Sequence, residues 1–340
     1  MERIYSIDFI KFFAIFAVVV IHVFPLDGFM GYYVIDNVAR FAVPFFFVAS
    51  GYFFAQNMSK QKSSFRYFKT YVLKLIKIYL SWLIFYTFYD VMLIFLNGND
   101  VSDQLIEYFK PFTLLNLIYY GKGTSGYQLW FLTALIWSTV TIFLFFQIKK
   151  MNTLFGISFV LNVIGLLGQS YTFVFKLPVN TTRDALFFGL FYTTLGVIFK
   201  LNTHFDTFRK ISRFTSLALA IFFSLFQVIE AYVLDKVLTG SHGEYFLSTT
   251  LLTTFLFFYA LNNKKLGKGL WITKVGGNAL GIYITHVLLL DVFNRMIKYL
   301  GLEYLSDLAI WNICYTLFIF TASYKTYHVL QKIKFRVKQP

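Results

Sequence analysis

Residues 6–22 read SIDFIKFFAIFAVVVIH, a nearly unbroken apolar run that carries three ionisable side chains, Asp8, Lys11 and His22. At the helical angle per residue, His22 lies about 20° around the axis from Lys11 and about 40° from Asp8. The three side chains therefore share one face, with about 16 Å of helix axis between Lys11 and His22. The run predicts a helix with one polar stripe and an otherwise apolar surface.

The rest of the chain is similarly apolar. Of its 340 residues, 58% are hydrophobic, 22% aromatic and 14% charged, and the mean hydropathy is +0.63. Soluble domains contain roughly 25% charged residues, and a soluble globule cannot bury this much apolar surface. The composition excludes a soluble enzyme, a disordered protein and, with one cysteine, a disulfide scaffold. It predicts an all-α, polytopic membrane protein.

Ten segments are long and apolar enough to cross a bilayer, which takes about 20 residues. They are 4–24, 40–57, 75–96, 128–147, 153–170, 184–200, 214–234, 245–262, 275–294 and 308–325. An even number of spans places both termini on one side. Most lysines and arginines outside the spans also fall on that side, so the positive-inside rule predicts cytoplasmic termini.

These spans predict one transmembrane domain, residues 1–340, with an extracytoplasmic loop at about 97–127 that lies in the interface or re-enters. The first span is expected to be retained, because three ionisable residues interrupt it and no small-residue cleavage site follows. The net charge of +15 is assigned to lipid headgroups, since the basic residues lie between spans. We therefore expect the lipid bilayer as a partner and no nucleic acid. The sequence leaves the oligomeric state open.

Further ionisable residues lie at or near the predicted outer ends of other spans. They are Arg40, Asp90, Arg183, Asp184, Glu230, His286 and Asp291. A charged side chain in lipid is costly unless it faces protein or water. We therefore expect most of them to surround a hydrated chamber together with His22. Two alternatives stay open: Lys11 and His22 each snorkel to an interface, and Asp291 forms a surface pair with Arg295.

The polar residues favour proton-transfer chemistry over metal or hydrolase chemistry. The chain has no G-x-S-x-G motif and no zinc-ligand spacing, and GKGTSG at 121–126 lacks the features of a phosphate loop. A histidine such as His22 can act as a general base towards a hydroxyl. Acyl transfer also needs positive groups beside the developing oxyanion, for which Arg40 or Arg183 is suitable. The same residues suit a proton-coupled carrier.

Five motifs occur in order along the chain. They are Lys11 and His22 with ten residues between them; RFAVPFFFVASGYF at 40–53, which includes Ser50; QLWFLTAL at 128–135 around Trp130; TRDALFFGL at 182–190; and GNALGIYITH at 277–286, which includes Tyr283. Together they resemble the acyltransferase-3 family of integral membrane acyltransferases. Lys11 stands where many members have Arg, and Asp184 where many have Asn.

The resemblance implies transfer of an acyl group, most often acetyl from acetyl-coenzyme A, to a hydroxyl of a cell-surface carbohydrate. It also implies the plasma membrane of a bacterium. No metal is expected. His22 would be the general base, Asp8 would orient Lys11, and Lys11, Arg40 and Arg183 would bind the acyl donor or its oxyanion. The expected acceptor contacts are Trp130, Glu230, His286, Tyr283 and Ser50.

The resemblance does not fix the activity. Relatives with the D-F-I-K form of the first motif include intercellular-adhesin acyltransferases and the membrane part of vancomycin-resistance serine racemases, the latter associated with serine uptake. A transporter of a serine-like amino acid, a sugar or a glycan therefore stays open. A receptor or scaffold would leave the polar stripe of the first helix without a role.

Overall fold

A computed structural model describes residues 3–61, 63–98, 100–175, 177, 181–201 and 211–337. These residues form helices and connecting loops, with no strand among them, which confirms the all-α class. The principal helices are α1 Tyr5–Val23, α2 Ala42–Met58, α3 Ser64–Asn97, α4 Val101–Phe109, α5 Trp130–Gln147, α6 Met151–Leu167, α7 Leu190–Leu201, α8 Arg213–Tyr232, α9 Leu247–Asn262, α10 Trp271–Gly276, α11 Ala279–Tyr299 and α12 Ala309–Val337. π-Helical turns occur at Phe29–Asp36, Leu115–Tyr120, Ala185–Gly189 and Val233–Val237.

Each of the ten predicted spans overlaps one of these helices. Six helical stretches in the described part of the chain are long and apolar enough to cross a membrane: Tyr5–Val23, Phe29–Met58, Ser64–Asn97, Tyr127–Gln147, Arg213–Val237 and Ala279–Tyr299. Three further apolar helices are shorter: Met151–Leu167, Ala185–Leu201 and Leu247–Asn262. The crossing number of ten and the cytoplasmic termini stay predictions.

Large apolar side chains remain exposed on the long helices. On α3, Ile84 is 68% and Phe88 70% exposed, and on α8 Phe214 is 71% exposed. Soluble monomers seldom expose apolar patches of this kind, whereas lipid tails cover them. The exposed faces therefore fit a multi-pass membrane protein.

The helices form two compact units. Unit 1 comprises Met1–Phe46 and Asp206–Pro340. In it, α1 packs against α10, α11 and α12, and α8 lies along α9. A Cβ atom on Gly276 would lie 1.9 Å from the backbone oxygen of Asp8. The backbones of α10 and α1 therefore touch, and this contact fixes the N-terminal half of α1.

Unit 2 comprises Phe47–Phe205. In it, α5 packs against α3, α6 and α7. A Cβ on Gly51 would lie 1.9 Å from the carbonyl oxygen of Thr193, and one on Gly196 would lie 2.0 Å from that of Val48. The glycine of the Ser-Gly-Tyr segment, residues 50–52, thus has a packing role, because it allows α2 and α7 to cross in backbone contact.

The predicted loop at 97–127 is a folded segment of unit 2. It contains α4 and the π-helical turn Leu115–Tyr120. The carboxylate of Asp90, on α3, accepts hydrogen bonds of 2.9 Å from the Tyr108 hydroxyl and from the Ser125 backbone N–H. These bonds tie the middle and the C-terminal end of the segment to α3. Its position relative to the membrane stays a prediction.

Candidate functional site

The C-terminal end of α1 brings the predicted base next to a second histidine within unit 1. The ring centroids of His22 and His286 lie 5.4 Å apart, with the planes 28° from parallel. The His22 residue is exposed, whereas His286 is completely buried. The ring of Tyr283, one turn earlier on α11, lies 5.8 Å from that of His286. Three predicted site residues therefore meet here.

The hydrogen bonding of His286 assigns its two ring nitrogens. Nδ1 lies 3.3 Å from the carbonyl oxygen of Ile282. A carbonyl only accepts hydrogen bonds, so Nδ1 is assigned the proton and Nε2 an acceptor lone pair in the neutral ring. Nε2 is buried and has no hydrogen-bond partner among the described residues. Burial of an unsatisfied polar atom costs about 1–3 kcal/mol. This acceptor therefore destabilises the folded protein unless a hydrogen-bond donor binds it.

The N-terminal end of α1 carries a charge cluster instead. Asp8 Oδ2 accepts hydrogen bonds from Arg3 Nε at 3.1 Å and Arg3 Nη2 at 2.8 Å. Asp8 Oδ1 lies 4.0 Å from Lys11 Nζ. The carboxylate thus lies between two cations, and Arg3 is a partner that the motif does not reveal. Fourteen residues of helix, about 21 Å, place Asp8 beyond direct contact with His22.

Arg40 lies before α2 and is held by carboxylates. Its Nε and Nη2 atoms each lie 2.9 Å from Asp36 Oδ2, and its Nη1 atom lies 3.7 Å from Glu244 Oε1. Asp36 is completely buried. Sequence reasoning missed Asp36, although its spacing of four residues before Arg40 is that of a helical ion pair.

A second cluster of unit 1 also escaped sequence reasoning. Asp235 Oδ2 accepts a short hydrogen bond from the Tyr33 hydroxyl and lies 3.1 Å from His242 Nε2. The His242 ring stacks on Tyr32, with centroids 4.0 Å apart. No single-residue signal marks this cluster, because its two tyrosines lie about 200 positions before Asp235 and His242 in the sequence.

The Glu230 carboxylate binds the N-terminal end of α9. Its carboxylate accepts hydrogen bonds from the backbone N–H groups of Leu247 at 3.3 Å and Ser248 at 3.1 Å, and from the Ser248 hydroxyl. A carboxylate at a helix N-terminus satisfies otherwise unpaired N–H groups and favours the helix dipole. The predicted acceptor contact of Glu230 stays a prediction.

The remaining predicted site residues belong to unit 2. The Arg183 guanidinium lies 5.0 Å from the ring centroid of Trp130, a cation–π distance. Trp130 is 6% exposed and also contacts Phe47 and Phe188. Its ring is thus buried among side chains. Ser50 is half-buried on α2.

Asp184, next to Arg183, begins the helical segment that leads into α7. It accepts hydrogen bonds from the Phe187 backbone N–H at 2.9 Å and from the Tyr119 hydroxyl at 3.0 Å. Burial and the Asp184 carboxylate raise the pKa of the Tyr119 phenol. Tyr119 therefore stays protonated and donates, and the pair joins the loop at 97–127 to α7.

The proposed chamber residues are thus divided between the units. His22, Arg40, Glu230 and His286 lie in unit 1, and Asp90, Arg183 and Asp184 in unit 2. Within unit 1, the rings of His22 and His286 lie next to each other. Asp291 and Arg295 form the expected pair, at 2.8 Å. The shared chamber stays a prediction.

The fold is that of a helical membrane protein, and its candidate site is the exposed His22 ring beside the buried His286 ring. Residues 4–328 match the family model described as an acyltransferase domain. The chain therefore belongs to the acyltransferase-3 family of membrane acyltransferases.

Two curated relatives are amino-acid racemases of Enterococcus faecalis. One is 26% identical over 323 residues, which cover 88% of this chain and 43% of the relative. The other is 28% identical over 214 residues, covering 57% of this chain and 28% of the relative. The chain thus spans less than half the length of these relatives. No solved structure matches it significantly.

Proposed function

We propose that this protein is an O-acyltransferase, specifically an O-acetyltransferase of the bacterial plasma membrane. It takes an acetyl group from cytoplasmic acetyl-coenzyme A and delivers it to a hydroxyl of an extracytoplasmic glycan. The observation that carries the proposal is the exposed His22 ring beside the buried His286 ring, 5.4 Å away, in a chain of this family.

His22 acts as the general base. As the acceptor oxygen attacks the thioester carbonyl, its proton passes to a nitrogen of His22. The new carbon–oxygen bond forms, the carbon–sulfur bond breaks, and the thiolate of coenzyme A leaves. His22 then returns the proton, so that the products are the acetyl ester and the free thiol.

Lys11 binds the acyl donor at the other end of the stripe. A lysine ammonium attracts phosphate groups, which coenzyme A carries. The 16 Å or so between Lys11 and His22 requires an extended donor that lies along α1. Asp8 positions Lys11, since its carboxylate lies 4.0 Å from Nζ and is anchored by Arg3.

Arg40 is the candidate for oxyanion stabilisation in unit 1. Its side chain is 12% exposed and is oriented by Asp36, and a guanidinium has further N–H groups to offer. The roles expected for Arg183, Trp130, Glu230 and Ser50 remain predictions, and we assign them no step in the reaction.

The similarity to the racemases supports the shared family and not their activity. It covers 43% or less of each relative, so we propose no racemisation here. The competing proposal, a carrier of a serine-like amino acid or a sugar, uses the same histidines but consumes no thioester. That difference decides the experiment.

The test is incubation of the protein in nanodiscs with radiolabelled acetyl-coenzyme A and cell-wall or capsule extracts. We expect wild type to release free coenzyme A and to label the glycan. His22→Ala should do neither, and the matched control His328→Ala should behave as wild type. A wild type that consumes no thioester but accumulates serine or sugars in proteoliposomes would contradict the proposal.

A further inference from the structure

We infer that His286 binds the acceptor through its buried Nε2 atom, and that the acceptor must therefore present a second hydrogen-bond donor beside the hydroxyl that reacts at His22. This inference rests on the proposed acyltransferase function. It names the acceptor class as a molecule with neighbouring donors, such as the vicinal hydroxyls of a sugar.

The first step is the protonation pattern of His286. Nδ1 lies 3.3 Å from the Ile282 carbonyl oxygen, which leaves Nε2 as a hydrogen-bond acceptor in the neutral ring. Nε2 is fully buried and lacks a hydrogen-bond partner among the described residues. Buried polar atoms are almost always satisfied in folded proteins. The missing partner is thus expected from a ligand that carries a hydrogen-bond donor.

The His286 ring lies close enough to His22 for one ligand to bind both. The centroids of His286 and His22 are 5.4 Å apart, about the span of two hydrogen bonds to adjacent polar atoms. His22 is exposed and His286 is buried behind it. One ligand can therefore offer a hydroxyl to His22 and a second donor to His286.

The acceptor needs two hydrogen-bond donors if it binds both histidines. A hydroxyl has one proton to donate, so it cannot satisfy both histidines at once. If His22 takes the proton of the reacting hydroxyl, Nε2 of His286 needs a different donor. A simple alcohol leaves Nε2 unsatisfied, whereas a diol satisfies both. His286 is thus a positioning residue that selects the acceptor.

Two substitutions separate this role from a structural one. His286→Gln places an amide oxygen near the position of Nε2, whereas His286→Asn places its polar atoms near Nδ1. If the only role of His286 is its hydrogen bond to the Ile282 carbonyl oxygen, the His286→Asn variant should preserve function better than His286→Gln. If Nε2 binds the acceptor, Gln should preserve function and Asn should not.

The probes are ethylene glycol and 2-methoxyethanol, which differ in whether the second oxygen carries a hydrogen. Acetyl ester formation from acetyl-coenzyme A is measured with nanodisc-embedded protein over a range of probe concentrations. We expect wild type and His286→Gln to prefer the diol by about tenfold in kcat/KM. His286→Asn should show no preference, through a higher KM for the diol.

The outcomes distinguish the two proposals. If wild type cleaves the thioester but transfers acetyl to both probes alike, or to neither, the inference is overturned and the acyltransferase stands. If His286→Gln loses the preference for the diol while His286→Asn retains it, the role of His286 is structural, and the inference is also overturned. If wild type cleaves no thioester under any condition, the proposed function is wrong, and this inference falls with it.

Discussion

The two ends of α1 use their polar groups in different ways. At the N-terminal end, the Asp8 carboxylate lies between Arg3 and Lys11. At the C-terminal end, an exposed His22 ring faces a buried His286 ring that has an unsatisfied nitrogen. Helix α1 thus has a charge cluster at one end and, at the other, a histidine stacked on His286 of α11. The proposed function places acyl-donor binding at the first end and proton transfer at the second.

The largest effect should follow from His22→Ala, which removes the base and leaves the charge cluster intact. General-base catalysis contributes about 10²–10⁴-fold to rate, so we expect acetyl transfer to fall at least about 100-fold. Acetyl-coenzyme A binding, measured by equilibrium dialysis, should stay within about twofold of wild type. Equal transfer by His22→Ala and the control His328→Ala would remove His22 from the mechanism.

A second large effect is expected from Gly276→Ala, which tests the packing that supports the N-terminal end. The added Cβ would lie 1.9 Å from the Asp8 backbone oxygen, and overpacking of this kind costs about 1–3 kcal/mol. Thermal unfolding in detergent should shift downward by several degrees. The matched control is Gly156→Ala on α6, where the added Cβ meets no other part of the chain within 4 Å beyond its own helical turn. A shift of equal size in both variants would contradict the account.

Asp8→Ala should have a moderate effect at the N-terminal end alone. It removes the carboxylate between Arg3 and Lys11, both partly exposed, so a roughly tenfold rise in KM for acetyl-coenzyme A is expected. The kcat should change little, because His22 is untouched. The control is Asp291→Ala, which removes a comparable pair with Arg295. A large fall in kcat with unchanged KM would place Asp8 in the chemical step instead.

The smallest effect is predicted for Lys11→Arg. The contact of Lys11 with Asp8 is at the 4.0 Å limit and is not bidentate, so the exact shape of the cation matters little there. Activity should stay within about fivefold of wild type, because arginine keeps the positive charge. Lys11→Gln removes the charge and should raise the acyl-donor KM further. Identical KM values for the acyl donor in Lys11→Arg and Lys11→Gln would mean that the positive charge does not bind the acyl donor.

The helices were predictable because hydrophobic runs of about 17–22 residues are a strong local signal. Each predicted span falls on a helix, and residues 6–22 alone predicted the shared face of Lys11 and His22. The π-helical turns and the folded loop between α3 and α5 were not predictable. They depend on tertiary hydrogen bonds, such as those of Asp90 to Tyr108 and Ser125.

The candidate site was predictable in its residues and less so in its pairings. The sequence singled out His22 and His286 separately, and only the fold brings them 5.4 Å apart. The sequence also singled out Arg40 and Glu230, but it did not reveal their partners in the structure, Asp36 and the start of α9. Charged residues in apolar segments signal a need for partners but do not identify them.

The most direct test of the division along α1 is a single-turnover measurement with saturating radiolabelled acetyl-coenzyme A in nanodiscs. Binding and thioester cleavage are followed separately for wild type, Lys11→Gln and His22→Ala. We expect Lys11→Gln to need more acyl donor to saturate but then to cleave it at close to the wild-type rate. His22→Ala should bind the acyl donor normally and leave it intact. The opposite pattern, with lost binding in His22→Ala and lost cleavage in saturated Lys11→Gln, would contradict the account.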